Sequence, residues 1–232
     1  MNKNRRTARN TAVVLLALSL SPLALCAQKE SKTAQAMAKQ GMANVWDYDK
    51  SIQVSLMYGR ADNFTGTVLY DDLRQAYLHP KAAAALAKAQ KRLKQLRPDL
   101  SLKIYDAARP MSVQQKMYRV VRGTSKSIYV SNPRNGGGLH NYGMAVDITL
   151  CKAATGDTIP MGTVIDHLGI LAHIDNEAQM VSRRQISREA KRNRELLRSV
   201  MRHAGFTPLS TEWWHFNFVS RATAKKYYKV IK

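Results

Sequence analysis

Cysteine is almost missing from this chain, with two in 232 residues. Cys26 falls in an N-terminal stretch that reads as a removable export signal, and Cys151 would then stand alone. No intramolecular disulfide can form from one thiol, so stability must come from a packed core. Acidic residues are scarce as well: 16 Asp and Glu stand against 37 Lys and Arg, a formal charge of +21. Long apolar runs are absent too. The stretch from Ala12 to Leu20 is well short of the about 20 residues that cross a bilayer as a helix. No internal repeat and no long linker divides the chain, which favours one domain.

The first residues have the three parts of an export signal. Lys3, Arg5, Arg6 and Arg9 form a basic start, Ala12 to Leu20 an apolar centre, and Ala24 to Ala27 a small-residue cleavage zone. The division is therefore signal 1–27, tether 28–44 and folded domain 45–232. Leu23-Ala24-Leu25-Cys26 partly matches a lipobox, which would leave Cys26 as a lipid anchor point. Losing the four signal charges lowers +21 to +17. A cytoplasmic protein this basic would suggest nucleic acid, but an exported one in the periplasm or cell envelope points instead to anionic envelope polymers or phospholipid head groups. Much of the charge lies in Arg183, Arg184, Arg188, Lys191, Arg192, Arg194 and Arg198, read as a solvated helix face.

Periodicity predicts a half-buried strand over Ser51 to Tyr58, a helix capped by Asp71 and running to about Leu96, and a strand at Leu102 to Tyr105. A helix capped by Ser112, a strand from Met144 to Leu150, a helix from Arg192 to His203 stopped by Gly205, and a last strand from Trp214 to Val219 follow. Strands separated by helices of unequal length predict an α+β fold: one domain, an antiparallel sheet with flanking helices, and a metal site at the sheet.

Two short segments carry the chemistry. Leu139 to Asp147 places His140 and Asp147 seven apart across Gly143, and Glu212-Trp213-Trp214-His215 places a carboxylate and an imidazole three apart. A hydrolytic zinc site takes three His or Asp/Glu ligands and keeps a fourth position for water. His140, Asp147 and His215 meet that need with one Zn2+ per chain. Odd spacings put residues on opposite faces of an unbroken strand, so the backbone must bend, at Gly143 in the first case. In the second, Glu212 is expected on the turn before the strand. As a carboxylate that does not bind the metal, it can serve as general base. Arg109, at the end of a strand, can stabilise an oxyanion. Isolated His and Asp are more often structural, and His79, His167 and His203 are read so. His173 is left between the two readings.

At these residues the sequence resembles the zinc D-alanyl-D-alanine dipeptidases of the vancomycin-resistance type, within the D,D-peptidases of family M15. The likeness runs from about Tyr58 to Phe218 through landmarks in order: Asp62-Asn63-Phe64-Thr65-Gly66, Tyr105 to Pro110, His140 to Asp147, Met161 to Asp166, and Ala204-Gly205-Phe206 before Glu212 to Phe216. The resemblance implies zinc ligands at His140, Asp147 and His215, a catalytic carboxylate at Glu212, and an oxyanion-stabilising arginine at Arg109. It further implies that Asp166 and Tyr58 receive the substrate's ammonium group, and that D-Ala-D-Ala is cleaved to two D-alanines. Three positions depart from the family: Gly138 replaces a serine that holds the substrate carboxylate, and Ala108 and Ala61 replace aromatic residues. An exported enzyme would meet dipeptides released from the wall, which favours turnover or salvage over resistance. The alternatives are a D,D-carboxypeptidase or related peptidase acting on longer stems, and an inactive zinc-containing wall-binding module.

Overall fold

The computed structural model describes residues 31–232, so the expected export signal, Cys26 and the start of the tether lie outside the described residues. The elements in chain order are α1 (Lys32–Lys39), β1 (Ala43–Asn44), β2 (Gln53–Val54), β3 (Tyr77–Leu78), α2 (Pro80–Leu96), β4 (Leu100–Asp106), α3 (Met111–Val121) and β5 (Ala145–Lys152). They continue with α4 (Glu177–Ser182), α5 (Arg188–His203), β6 (Thr207–Leu209), β7 (Glu212–Asn217) and α6 (Arg221–Tyr227). None of the helices among the described residues is long and apolar enough to cross a membrane.

The main sheet has five strands in the order β2-β4-β5-β7-β6. It is mixed, which corrects the expectation of an antiparallel sheet. β2 runs parallel to β4, whereas β4–β5, β5–β7 and β6–β7 are antiparallel. The cause is the crossover that carries α2: a chain that leaves β2 and returns through a helix re-enters the sheet in the same direction. β1 and β3 form a separate antiparallel pair.

β5 lies at the centre and is buried from Ala145 to Cys151. Its even positions Val146, Ile148 and Leu150 are apolar, while Asp147 and Thr149 on the other face line cavities. α2 supports the sheet through Ala82, Leu86, Ala89 and Leu93, spaced three and four apart on one stripe, and α5 adds Leu197, Val200 and Met201.

Several local expectations need correction. α2 begins at Pro80, not after Asp71, because proline suits the first helical position, where its missing N–H costs nothing. His79 caps it, with Nδ1 accepting from the Lys81 amide at 3.3 Å. α3 starts at Met111 behind Pro110, so Ser112 is inside the helix and not its cap. The strand expected from Ser51 to Tyr58 shrinks to Gln53–Val54. The tether region is not free of the domain. Ser31 caps α1 through the Ala34 amide at 3.0 Å, Met37 is wholly buried, and β1 pairs with β3.

The basic face of α5 is also only partly solvated. Arg194 is 0% exposed. Its Nε donates to the Met161 carbonyl at 2.7 Å, Nη2 to Leu171 at 3.0 Å, and its guanidinium lies 5.4 Å from the Trp213 ring centre. Glu177 balances the charge of Arg194 and pairs bidentately with Arg198 at 2.9 and 2.6 Å. These bonds tie down the irregular segment between β5 and α4, which carries Asp166.

Gly143 makes the bend required between His140 and Asp147. It has φ +65, and a Cβ there would lie 2.5 Å from Met42 Sδ and 2.8 Å from the His79 backbone nitrogen. Gly143→Ala should therefore destabilise the protein by about 2 kcal/mol or more, since both the conformation and the space are denied to a side chain. Urea unfolding checks this, and a wild-type midpoint would mean that the turn tolerates a side chain.

Candidate metal centre and active site

Strand register builds most of the site. Asp147 on β5 stands directly opposite His215 on β7, and antiparallel partners point to the same face. His140 arrives from outside the sheet, on the short 3-10 helix Leu139–Tyr142, whose turn through Gly143 feeds β5. Glu212 is the first residue of β7, just past the turn on which it was expected. The β6–β7 pairing shifts register between Pro208 and Leu209, and this irregularity lets Glu212 and His215 both line one cavity despite their odd spacing. The cavity has a volume of about 500 Å³ and also takes in Tyr58, Arg109, His140, Asp147 and Asp166. The structure thus brings together all seven residues singled out in the sequence.

The donor atoms of the trio form a nearly equilateral triangle. His140 Nε2 lies 3.2 Å from His215 Nδ1 and 3.3 Å from Asp147 Oδ1, and His215 Nδ1 lies 3.0 Å from Asp147 Oδ1. Tetrahedral zinc, with bonds of about 2.1 Å, holds its ligand atoms roughly 3.4 Å apart. The opposite ring nitrogens have partners of their own. His140 Nδ1 is 2.7 Å from the Ala107 carbonyl oxygen, and His215 Nε2 is 2.8 Å from Asn217 Oδ1. With its outer nitrogen occupied in this way, each ring has its inward nitrogen available as a ligand atom beside the Asp147 carboxylate oxygen. Three acceptors turned on one point fit a cation, and the two outer bonds orient the rings as such sites require.

Arg109 is 7% exposed and held on three sides. Its Nε and Nη2 donate to Asp106 Oδ2 at 2.8 and 2.5 Å, and Nη1 donates to Gln114 Oε1 at 2.8 Å. Tyr70 in turn donates its hydroxyl to Asp106 Oδ1 at 2.7 Å. The guanidinium sits 5.4 Å from the Tyr58 ring centre and 3.7 Å from Asp147 Oδ2, beside the trio. Burial disfavours its charge, yet Asp106 more than offsets this and holds its pKa well above the ordinary value.

The three carboxylates in the cavity differ. Burial opposes the charge of Asp147, but His140 and His215 hold its carboxyl well below the usual range. Glu212 is pushed up to about 7, chiefly by burial, with Asp147 and Asp166 adding to the shift. Asp166 is likewise raised to about 7 by burial and by Asp147, although the Tyr58 hydroxyl donates to its Oδ2 at 2.7 Å. A carboxyl poised near neutrality suits proton transfer. Asp166 also holds φ +63, a conformation uncommon for a side-chain-bearing residue.

The sequence reading left out Asn217, Gln114, Tyr70 and the Ala107 carbonyl. Asn217 was within reach, because residues two apart on a strand share a face and His215 was already in view. Gln114 and Tyr70 come from other elements, and no spacing points to them. The remaining histidines divide as follows: His79 caps α2, His167 is half-buried in the segment between β5 and α4, His203 is exposed on α5, and His173 Nε2 lies 3.2 Å from the hydroxyl of Tyr129, which lines the cavity. Of the departures, Ala108 is buried, Ala61 is exposed, and Gly138 is in the cavity wall.

The profile of the M15 peptidases, described as D-ala-D-ala dipeptidase, matches residues 39–232. The chain belongs to the D-Ala-D-Ala dipeptidase family. It is similar to the D-alanyl-D-alanine dipeptidase of Escherichia coli K12, at 33% identity over 74% of this chain and 81% of that protein. The D-alanyl-D-alanine dipeptidase of Streptomyces coelicolor is 30% identical over 68% of this chain and 82% of its own length. One from Enterococcus faecium is 36% identical over 33% of this chain and 35% of its own. This member of the dipeptidase family is thus a peptidase with a possible metal-binding group.

If Asn217 orients His215, Asn217→Ala should weaken zinc binding by roughly 10–100-fold while leaving the fold intact. Competition with a chromophoric chelator measures the affinity. An unchanged constant would separate Asn217 from the metal centre.

Proposed function

We propose that the chain is a zinc-dependent dipeptidase that hydrolyses D-Ala-D-Ala to two D-alanines in the cell envelope. The observation that carries the proposal is the converging trio of His140, Asp147 and His215 sharing one cavity with the buried Glu212. Zinc on the trio would supply an acidified water and a Lewis acid for the scissile carbonyl. Glu212, with a pKa near neutrality, takes the proton of the attacking water and passes it to the leaving amine. Arg109 keeps its charge in a buried setting and faces the oxygen on which negative charge develops. Its bonds to Asp106 and Gln114 fix it in advance, so little reorganisation is needed during the reaction.

At one end of the cavity, Asp166 and the Tyr58 hydroxyl receive the free ammonium of the substrate. A cation there relieves a carboxylate that burial otherwise drives toward neutrality. An acylated amine brings no charge and adds bulk, so longer stems fit poorly. Export fits the basic, apolar and small-residue order of residues 1–27, and the net positive charge suits anionic envelope polymers. A dipeptide released from the wall is then the substrate at hand.

Glu212→Gln should keep one zinc per chain by elemental analysis and lose at least about a hundredfold in kcat. Loss of zinc instead would make Glu212 a ligand.

The wild-type enzyme should cleave D-Ala-D-Ala and reject N-acetyl-D-Ala-D-Ala, and Asp166→Ala should lose dipeptide turnover without losing metal. The discrimination arises because a neutral substrate leaves a buried carboxylate without its cationic partner. Equal cleavage of the acetylated and free peptides would refute the ammonium site and favour a carboxypeptidase.

A further inference from the structure

The cavity that holds the trio is lined by groups of both charges. Asp166 and Tyr58 form the acidic end, and the Tyr58 ring leads back through Arg109 to Asp147. On the other side of His140, the chain runs back through Leu139 into a glycine loop at 136–138. There Arg221 Nη2 donates to the carbonyl oxygens of Asn135 at 3.1 Å and Gly137 at 2.9 Å, which holds the guanidinium over the loop and in the cavity wall. No acidic side chain pairs with it among the described residues. The loop is itself rigidly shaped. Gly137 has φ +69, a Cβ on it would fall 2.2 Å from Asn141 Oδ1, and that same oxygen accepts from the Gly138 amide at 2.9 Å.

Ser131 completes this end. A Cβ on Gly138 would lie 2.8 Å from Ser131 Oγ and 3.2 Å from Ser131 Cβ, so the serine occupies the space that a side chain at 138 would fill. Its carbonyl accepts from Gln114 Nε2 at 2.8 Å, and Gln114 Oε1 accepts from Arg109, which fixes Ser131 relative to the reaction centre. The Ser131 hydroxyl has no hydrogen-bond partner among the described residues, although it lines the cavity.

We infer that Arg221 and Ser131 receive the free carboxylate of the dipeptide, a step that rests on the dipeptidase reading. The substrate is a zwitterion whose scissile bond lies between its charges. With the ammonium at Asp166 and the scissile carbonyl at the trio, the carboxylate emerges on the side of the glycine loop. Arg221 meets it with positive charge, and Ser131 with a donor that has no other use. A carboxylate drawn from water into this wall requires such partners.

The test compares D-Ala-D-Ala with its C-terminal amide in the zinc-loaded wild type and in Arg221→Gln, Arg221→Lys and Ser131→Ala. Arg221→Gln should raise KM for the free acid roughly tenfold, with kcat little changed, and should collapse the preference for acid over amide. Arg221→Lys should restore part of that preference, and Ser131→Ala should lose several-fold in the same direction. An Arg221→Gln enzyme with the wild-type preference would overturn the assignment, as would an equal loss on both substrates, which would assign Arg221 only to the shape of the loop. Wild-type enzyme that cleaves neither compound would instead remove the dipeptidase reading beneath it.

Discussion

Three acceptor atoms turned toward one point are the constraint around which this domain is organised. His140 Nε2, His215 Nδ1 and Asp147 Oδ1 lie within 3.3 Å of one another, and the outer nitrogen of each ring is already engaged elsewhere. Such a group can serve a cation only if the fold keeps its members together on one side of the sheet. It does so with backbone. The register of β5 against β7 fixes Asp147 opposite His215, and the turn through Gly143 fixes His140. The rings could still rotate away, but the outer bonds to Ala107 and Asn217 oppose that as well.

Two buried arginines extend the same rigidity outward. Arg109 is fastened to Asp106, which Tyr70 orients, so the cation beside the trio has little freedom. Arg194 takes a different part. Through the carbonyls of Met161 and Leu171 it spans the segment in which Asp166 sits, and Glu177 offsets its charge. Asp166 keeps a strained φ of +63, which persists only when its surroundings over-determine it. The placement of Asp166 therefore depends on a salt-bridged helix that does not itself line the cavity.

The legible and illegible parts of the sequence separate along physical lines. Motif residues were readable because their chemistry is local: His140 with Asp147, and Glu212 with His215, each imply a bend whose existence follows from parity. The mixed sheet was not readable, since the parallel pairing of β2 with β4 depends on where the chain goes over some fifty residues. The start of α2 was misplaced because Asp71 offers a good cap, yet Pro80 has the stronger claim once β3 must form first. Arg194 looked like its exposed neighbours on α5. Only a partner at Glu177 and carbonyls from a distant loop distinguish it, and none of these is encoded by helical spacing.

The scarcity of acidic residues acquires a structural sense when their positions are considered. Of the 16 in the chain, Asp106, Asp147, Glu177 and Glu212 are buried, and Asp166 faces the cavity. Set against the buried Arg109 and Arg194, these carboxylates leave the interior net acidic and the outside somewhat more basic than composition alone implies. A zwitterionic dipeptide has no net charge for that outer field to attract, whereas an anionic polymer does. On the proposed reading, recognition of the two would use different scales of electrostatics: the polymer would respond to the summed surface charge over a Debye length, and the dipeptide to individual groups within one cavity. The chain can be strongly cationic for its surroundings without compromising selection of a neutral substrate.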